Sequence, residues 1–425
     1  GMKILVVGGG GREHAIIKKL KENPTVEHIF AIPGNGGIAA DAECVNLEVK
    51  NITDVAEFAV QKQVDYAVVA PDDPLVLGMV DALEAKGIPC FGPRKSAAIL
   101  EGSKSFAKEL MQKYHIPTAK FAAFREVAPA LDYAAKSSLP IVIKADGLAL
   151  GKGVVIAETH EEARDAIEEM MLRHKFGSSG NTVVIEEFLQ GPEVSVLAFT
   201  DGTTLVPMVS SMDHKRAGNG DTGLNTGGMG TIAPNPYYTG AVAEECMQTI
   251  FLPTIRAMKA EGREFRGCLY FGLMLTKNGP KVIEYNCRFG DPETQVVLPL
   301  LKSDLLTVMQ AVTNGTLQDT PVEFSQESAC CVVVASKGYP LQYEKGVKIG
   351  LPHTGPNEAI FVAGAVRRGE ELFSSGGRVL GCTAVADTLE HAVEKAYALV
   401  KQVEFPNGFY RNDIGRRALQ AKEEQ

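Results

Sequence analysis

Over the first hundred positions short apolar blocks alternate with amphipathic stretches: residues 4–7 (Ile-Leu-Val-Val), a helical pattern from about Arg12, apolar runs at 29–32 and 66–70, and a helical pattern across 74–86. Strands of this length separated by helices predict a parallel, Rossmann-like sheet with crossover helices. Pro89, Gly92 and Pro93 punctuate the end of this unit, and residues 96–102 lead into the next. The pattern therefore divides the chain near residue 102.

From 103 to 328 the rhythm is mixed. An apolar strand at 140–144 runs into a glycine-rich turn, an amphipathic helix follows at 161–172, and a second strand at 182–186. This predicts a small inserted lid subdomain at about 123–192. The segment 218–230 holds six glycines with Asn and Thr, a composition expected of a mobile loop rather than of a helix or strand. Strand-like runs at 329–335, 359–367 and 378–385 and a helix at 389–403 predict a closing α/β, barrel-like domain at 329–425. The whole reads as a multidomain α/β and α+β chain, with domains at 2–102, 103–328 and 329–425.

Composition narrows the function classes. With 425 residues, 45% apolar and 22% charged, the chain resembles an ordinary folded protein of several domains. A net charge of −9 without a Lys/Arg cluster argues against nucleic-acid binding, so an anionic substrate needs locally placed basic groups. No apolar run approaches the roughly eighteen residues of a membrane span, and the start lacks the apolar core of a signal peptide. Gly1, ahead of Met2, reads as an appended residue. Eight scattered cysteines without metal-ligand spacing fit a reducing cytoplasm.

Several segments carry candidate chemistry. In Glu284-Tyr285-Asn286-Cys287-Arg288 a carboxylate and a carboxamide sit two residues apart after an apolar stretch, so strand alternation places Glu284 and Asn286 on one face. Two oxygen donors suit Mg²⁺, which takes few protein ligands and completes its shell with water and phosphates; a solvated polar turn is the alternative. Arg288, a further step along, can hold an anion. The run Gly8-Gly9-Gly10-Gly11-Arg12-Glu13-His14 opens the first helix, where free N–H groups favour an anion. A phosphate-bearing substrate or a structural turn both fit. Glu13 stands where a dinucleotide fingerprint needs glycine, which disfavours a nicotinamide or flavin cofactor. His14 reads as a packing or polar-network residue.

The loop from Lys144 through Gly151-Lys152-Gly153 places a strand-terminal lysine beside glycines, suited to nucleotide phosphates although it is not a P-loop. A structural hairpin would explain the glycines but not the lysines. Glu186 and Glu187 end a strand, with Leu189 and Glu193 following; these fit an adenine edge and ribose hydroxyls, or a solvated strand end. Asp213-His214-Lys215-Arg216 precedes the glycine-rich segment containing Asn225, Thr226 and Gly228. Mixed charge beside a mobile loop suits a zwitterion that is then shielded from water, and a surface charge run is the rival.

Together these segments resemble the ATP-grasp ligases, and within them those that join glycine to 5-phosphoribosylamine. The resemblance covers residues 2–420. It rests on Gly-Gly-Arg-Glu-His (10–14), Pro-Gly-Asn (33–35), Glu-Gly-Ser-Lys (101–104), Lys-Ala-Asp-Gly-Leu-Ala (144–149), Gly-Lys-Gly-Val (151–154), Asp-His-Lys-Arg (213–216), Asn-Thr-Gly-Gly-Met-Gly (225–230) and the run at 286–295. It implies two ATP-grasp subdomains between N- and C-terminal domains. Lys104 and Lys144 would contact ATP phosphates, with Gly151, Lys152, Gly153 and Glu186 in the same ATP site. Glu187 and Leu189 would bind adenine, Glu193 ribose, and Glu284 with Asn286 Mg²⁺ or Mn²⁺. Arg288, Lys144, Asp213 and Lys215 would serve the chemistry. Substrate contacts would map onto Gly10, Gly11, Asn35, Asp72, Asp213, Lys215, Asn225, Thr226, Gly228 and Arg288. Two departures stand out: Pro71-Asp72-Asp73-Pro74 where the family carries Pro-Glu-Ala-Pro, and Leu150 in place of a small residue. A monomer acting on small molecules is expected, without nucleic acid or membrane.

Overall fold

A computed structural model of the chain describes residues 1–147, 153–174 and 176–424. Five parallel strands form the first sheet, in the order Glu43–Cys44, Val26–Pro33, Met2–Gly8, Tyr66–Val69, Cys90–Phe91. Ile4, Leu5, Val6 and Val7 are all completely buried, because a parallel sheet is covered on both faces and its strands are continuously apolar. The helix Gly11–Leu20 follows the first strand. The helical pattern across 74–86 is broken into two helices, Asp72–Val76 and Met79–Ala85. Gly78, at φ +93°, turns the chain between them, a conformation glycine adopts without penalty.

The middle of the chain builds two antiparallel sheets. In the lid, Phe121–Phe124, Val183–Glu187, Ile141–Ala145 and Val154–Ala157 pair in that order, and the helices Val127–Lys136 and His160–Met171 bury their apolar stripes against this sheet. Thr159 caps the second helix by accepting the Glu162 N–H at 3.1 Å. The central sheet runs Leu205–Pro207, Glu193–Thr200, Gly267–Thr276, Gly279–Asn286.

The third sheet draws on both the middle and the end of the chain. Its strands are Met212–Asp213, Gly230–Ala233, Ser328–Ser336, Arg378–Ala386 and Glu358–Val362, with Gly408–Phe409 beside Ser328–Ser336. Two of these strands come from before residue 328, and among the described residues the pairings run in an open order rather than a closed ring. The glycine-rich stretch is also structured: Arg216–Gly218 pairs with Thr222–Asn225 as a hairpin, and Gly230 begins a strand of the third sheet. Gly220 and Gly223, at φ +70° and +81°, supply hairpin geometry, so the glycines here serve a turn. The apolar run at 359–367 likewise splits between two sheets, since Ala365–Arg368 pairs with Glu371–Ser374. No described helix is long and apolar enough to cross a membrane.

Three buried rings join the first sheet, the central sheet and the segment beyond it. Phe199 lies 6.4 Å from Phe91 and 6.2 Å from Phe289, and Phe91 lies 5.9 Å from Phe289, centroid to centroid. Phe199→Ala is expected to cost about 3–5 kcal/mol by opening a cavity at this junction. The measurement is the urea midpoint, falling at constant m-value.

Candidate functional site

The strand Ile141–Ala145 delivers Lys144 to the boundary between the lid and the central sheet. Its ammonium pairs with Glu186 Oε2 at 2.8 Å and donates to the Ile283 carbonyl at 3.3 Å. Glu186 is also held by Lys108 at 2.7 Å, and Lys108 donates to Thr118 Oγ1 at 2.6 Å. Burial works against ionisation of Glu186, but Lys144 and Lys108 outweigh it and hold the carboxyl below its usual range. Burial pushes Lys108 down to about 8 despite the Glu186 charge. Glu186 is thus paired with two of the chain's own cations at the lid boundary. It acts through Lys144.

Asp146 joins this loop to the helix Lys104–Lys113. Its Oδ1 accepts the Lys104 N–H at 2.6 Å and the Ser105 N–H at 3.2 Å, and its Oδ2 accepts the Ser105 hydroxyl at 2.6 Å. A carboxylate at a helix N-terminus satisfies otherwise orphaned donors, and here it also brings Lys104 beside Lys144. Burial, then Lys144, lowers the Lys104 ammonium. Gly153 accepts the Ala145 N–H at 2.7 Å. Gly151 and Lys152 lie outside the described residues.

Glu284 and Asn286 end the last strand of the central sheet, with Glu284 opposite Gly272 and Asn286 opposite Tyr270. A Cβ on Gly272 would come within 3.0 Å of Glu284 Cγ, so this glycine makes room for the carboxylate. Neither the Glu284 carboxylate nor the Asn286 carboxamide bonds to another described side chain or backbone group, while Glu284 is exposed and Asn286 buried. Among the described residues no cluster of three or more His, Cys, Asp or Glu is placed to hold a metal. Two free oxygen donors match a hard cation that draws its remaining ligands from water and phosphate.

Arg288 lies past the strand end and turns toward the first domain. Its Nη2 meets Glu101 Oε2 at 3.2 Å and its Nη1 donates to the Phe289 carbonyl at 3.3 Å, leaving Nε buried without a partner. Glu101 also accepts the Cys287 N–H at 2.8 Å. Burial, reinforced by the Asp72 charge, raises Glu101 to about 7 against the pull of Arg288. Burial disfavours the Asp72 anion too, yet Arg288 and Arg12 hold its carboxyl below the usual range. Asp72 therefore does face the Arg288 side of the site.

Three candidate residues of the first domain, Asn35, Gly10 and Gly11, make close internal contacts. The Asn35 carboxamide is spent internally, donating to the Gly9 and Val362 carbonyls at 3.0 and 2.7 Å and accepting the Gly37 and Ile38 N–H groups at 2.9 Å each. It docks the loop after the second strand onto the third sheet. At the helix N-terminus the Gly10 N–H donates to Glu13 Oε1 at 2.7 Å and the Arg12 N–H reaches Asp291 Oδ2 at 3.4 Å. These two N–H groups thus point at the chain's own carboxylates. A Cβ on Gly11 would come within 2.6 Å of Gln295 Nε2, a close approach that accounts for this glycine by packing. His14 joins a polar network, with Asp41 Oδ2 at 2.8 Å and the Val362 N–H at 2.9 Å.

Asp213 and Lys215 face the strand end from the third sheet, with Lys215 Nζ 3.5 Å from Asp213 Oδ2. Gly228, at φ +128°, passes so close that a Cβ would lie 2.8 Å from Asp213 Oδ1. Thr226 closes the hairpin by donating from N and Oγ1 to the Lys215 carbonyl at 2.7 and 2.8 Å, while Asn225 is exposed. Burial disfavours charge on Lys215, but Asp213, Glu284, Glu293 and Glu193 raise its ammonium. These four carboxylates mark the site's acidic end. At the lid edge the Glu187 N–H already donates to the Lys120 carbonyl at 2.9 Å. Leu189 and the exposed Glu193 follow it along the chain.

Family models cover nearly all of this architecture. The N domain of phosphoribosylglycinamide synthetase matches residues 2–101, its ATP-grasp (A) domain 102–294 and its C domain 329–417. The chain belongs to the phosphoribosylglycinamide synthetase family. A relative from Fusobacterium nucleatum, named phosphoribosylamine–glycine ligase, is 47% identical over 418 residues, covering 97% of this chain and 98% of its own. The solved phosphoribosylamine–glycine ligase of Thermotoga maritima is 35% identical with a TM-score of 0.85, covering 97% of this chain and 100% of its own. The biotin carboxylase of Campylobacter jejuni shares the fold alone, with a TM-score of 0.75 at 16% identity over 96% and 92% of the two chains.

Within this synthetase fold, sequence reasoning missed Lys108 and Gly272, and gave no role to Glu101, Asp146, Asp291 and Glu293 although they lie in the motifs. Each is identified only by a partner distant in sequence. Glu293 matters for Asp213: burial, then repulsion from Glu293, raises the Asp213 carboxyl to about 7 against Lys215, the His214 amide and Arg378. Between the ordinary carboxylate range and about 7 the folded chain holds a proton that the unfolded chain has released. Stability contributed by this group therefore falls as pH rises across that window and stays lost above it. Asp213→Asn should flatten that dependence and be the more stable protein at pH 8, while losing activity. Urea midpoints of both proteins across the window check this; parallel curves would contradict it.

Proposed function

We propose that this chain is an ATP-dependent ligase that joins glycine to 5-phosphoribosylamine through glycyl phosphate, giving glycinamide ribonucleotide, ADP and phosphate, a step of purine biosynthesis. The observation that carries the reading is the Glu284–Asn286 pair, its oxygens unengaged beside Lys144, which reaches the Ile283 carbonyl on the same strand. Relatives that match the chain from end to end bear the name of that activity.

A glycine carboxylate oxygen attacks the γ-phosphorus of ATP as the bond to the ADP oxygen breaks. The amine nitrogen of phosphoribosylamine then attacks the acyl carbon, phosphate leaves with the former carboxylate oxygen, and the nitrogen loses a proton. Neither step needs a covalent enzyme intermediate. The protein's contribution is positioning and charge complementarity. Lys104 and Lys144 neutralise phosphate oxygens, with Glu186 and Lys108 fixing Lys144 from behind. Glu284 and Asn286 would hold Mg²⁺ or Mn²⁺, which supplies charge neutralisation on the transferring phosphate. Asp213 and Lys215 form a pair of opposite charges suited to an amino acid's ammonium and carboxylate. Arg288, with its orphan Nε, offers the anion contact on the side of Asp72, and the hairpin at 216–225 screens the acyl phosphate from water.

ADP release should require both glycine and phosphoribosylamine, and substitution of glycine by larger amino acids should abolish it. Glu284→Ala should lower kcat by at least about a hundredfold, the scale of removing one charge-stabilising group, with an unchanged unfolding midpoint. ADP release indifferent to either co-substrate would overturn the reading, and near-normal turnover in Glu284→Ala would overturn the metal assignment.

A further inference from the structure

The proposed chemistry leaves two residues of the Asp213-His214-Lys215-Arg216 run unused, His214 and the exposed Arg216. His214 is buried, 1% exposed, between two candidate binding residues. Its backbone N–H donates to the Gly230 carbonyl at 3.0 Å and its carbonyl accepts the Met229 N–H at 2.7 Å. The ring continues this pairing: Nδ1 lies 3.1 Å from the same Gly230 carbonyl, and Nε2 lies 3.2 Å from the Gly415 N–H. A carbonyl can only accept and an amide N–H can only donate. The ring must then carry its proton on Nδ1 and present a bare Nε2, one tautomer of the neutral imidazole.

Gly415 belongs to a segment that grips the hairpin at several other points. Arg411 is buried and pairs with Asp413 Oδ2 at 2.8 Å and Asp221 Oδ1 at 3.1 Å, and it donates to the Arg216 carbonyl at 3.1 Å. Asp413 accepts the Gly220 N–H at 2.9 Å, and the Asn412 N–H donates to Asn219 Oδ1 at 2.7 Å. Arg417 meets Asp221 at 3.4 Å. Residues 411–417 thus form a strap behind the hairpin, and His214 is the point at which this strap reaches the strand carrying Asp213.

We infer that His214 is a positioning residue for the glycine and phosphoribosylamine side of the site: its neutral, Nδ1-protonated ring staples Gly230 to Gly415 and so fixes Asp213 and Lys215 on either side of it. The inference rests on the proposed ligase reading. Protonation would put a donor on Nε2 facing the Gly415 N–H, beside the cations Arg411 and Arg417 and near Asp221, the charged groups around the ring. Burial and Arg411 lower the ring to about 4, which keeps the staple intact throughout the neutral range.

The test uses the full-length protein and His214→Phe, His214→Gln and wild type. In His214→Phe, KM for glycine and phosphoribosylamine should rise at least about tenfold with KM for ATP within about twofold, a split that uniform loss of folded protein cannot produce. His214→Gln, which can still offer an oxygen to Gly415, should recover part of the loss. In wild type, ¹⁵N–¹H correlation spectra should show the His214 ring protonated on Nδ1 and bare on Nε2 from pH 8 to pH 5, a reading that does not depend on any variant folding. Equal changes for all three substrates, no change in any, or an Nε2-protonated ring would overturn the inference. Absence of glycine-dependent ADP release in wild type would instead overturn the ligase reading.

Discussion

A half-buried carboxylate, Asp291, sits where the three parts of the chain meet, and its neighbours explain why the site can be assembled from such distant segments. Its oxygens receive the Arg12 N–H of the first helix at 3.4 Å and Gln295 Nε2 at 2.8 Å, and Arg378 of the third sheet lies 3.8 Å from it while donating to its carbonyl at 3.1 Å. Burial opposes the charge on Asp291, and Arg378 with Arg12 outweighs that and holds the carboxyl below its usual range. The neighbouring residues extend the same junction. Arg12 donates to the Phe289 carbonyl at 3.1 Å and Thr383 to the Gln295 carbonyl at 3.1 Å. One stretch, 286–295, therefore carries both the end of the proposed metal pair and the contacts that hold the domains against it. Removing one partner from such a network leaves the others buried and unmatched.

From that junction the site separates by charge. Lys104, Lys144 and Lys108 gather where the lid meets the central sheet, and Glu186 is the counter-charge that keeps two of them buried. On the other side, Asp213, Glu193, Glu284 and Glu293 surround Lys215, and Glu101 with Asp72 surrounds Arg288. Under the proposed function a polyphosphate would lie at the first group and an ammonium at the second, with the Glu284–Asn286 strand running to the site between them. Electrostatics of this kind tie substrate orientation to fold, since each charge is placed by a different sheet.

Much of this was legible in the sequence where the signal is local. Continuous apolar runs located the strands of the first sheet, because burial on both faces leaves no polar alternation. The Glu-x-Asn spacing placed Glu284 and Asn286 together, because strand alternation fixes it. What failed was pairing at a distance. Glycines at 218–230 read as a loop, since composition does not distinguish a mobile segment from a hairpin whose turn needs positive φ. The internal partners of Asn35 and Glu186 were not legible either, because a polar residue beside a glycine motif looks the same whatever its distant partner, here Val362 for Asn35 and Lys108 and Lys144 for Glu186. Lys108 lies in an ordinary amphipathic helix and gives no signal until the strand bearing Glu186 is laid over it. The Arg411 strap is similarly invisible, since its partners lie about two hundred residues earlier.

The central claim is that glycine's carboxylate is activated by phosphoryl transfer at the Glu284–Asn286 end of this site. Isotope transfer tests it most directly: glycine labelled with oxygen-18 in both carboxylate oxygens is turned over with ATP and phosphoribosylamine, and the inorganic phosphate is analysed by mass. An acyl phosphate predicts that each phosphate carries one labelled oxygen and each amide product retains the other. Unlabelled phosphate, with ADP formed in step with product, would contradict it.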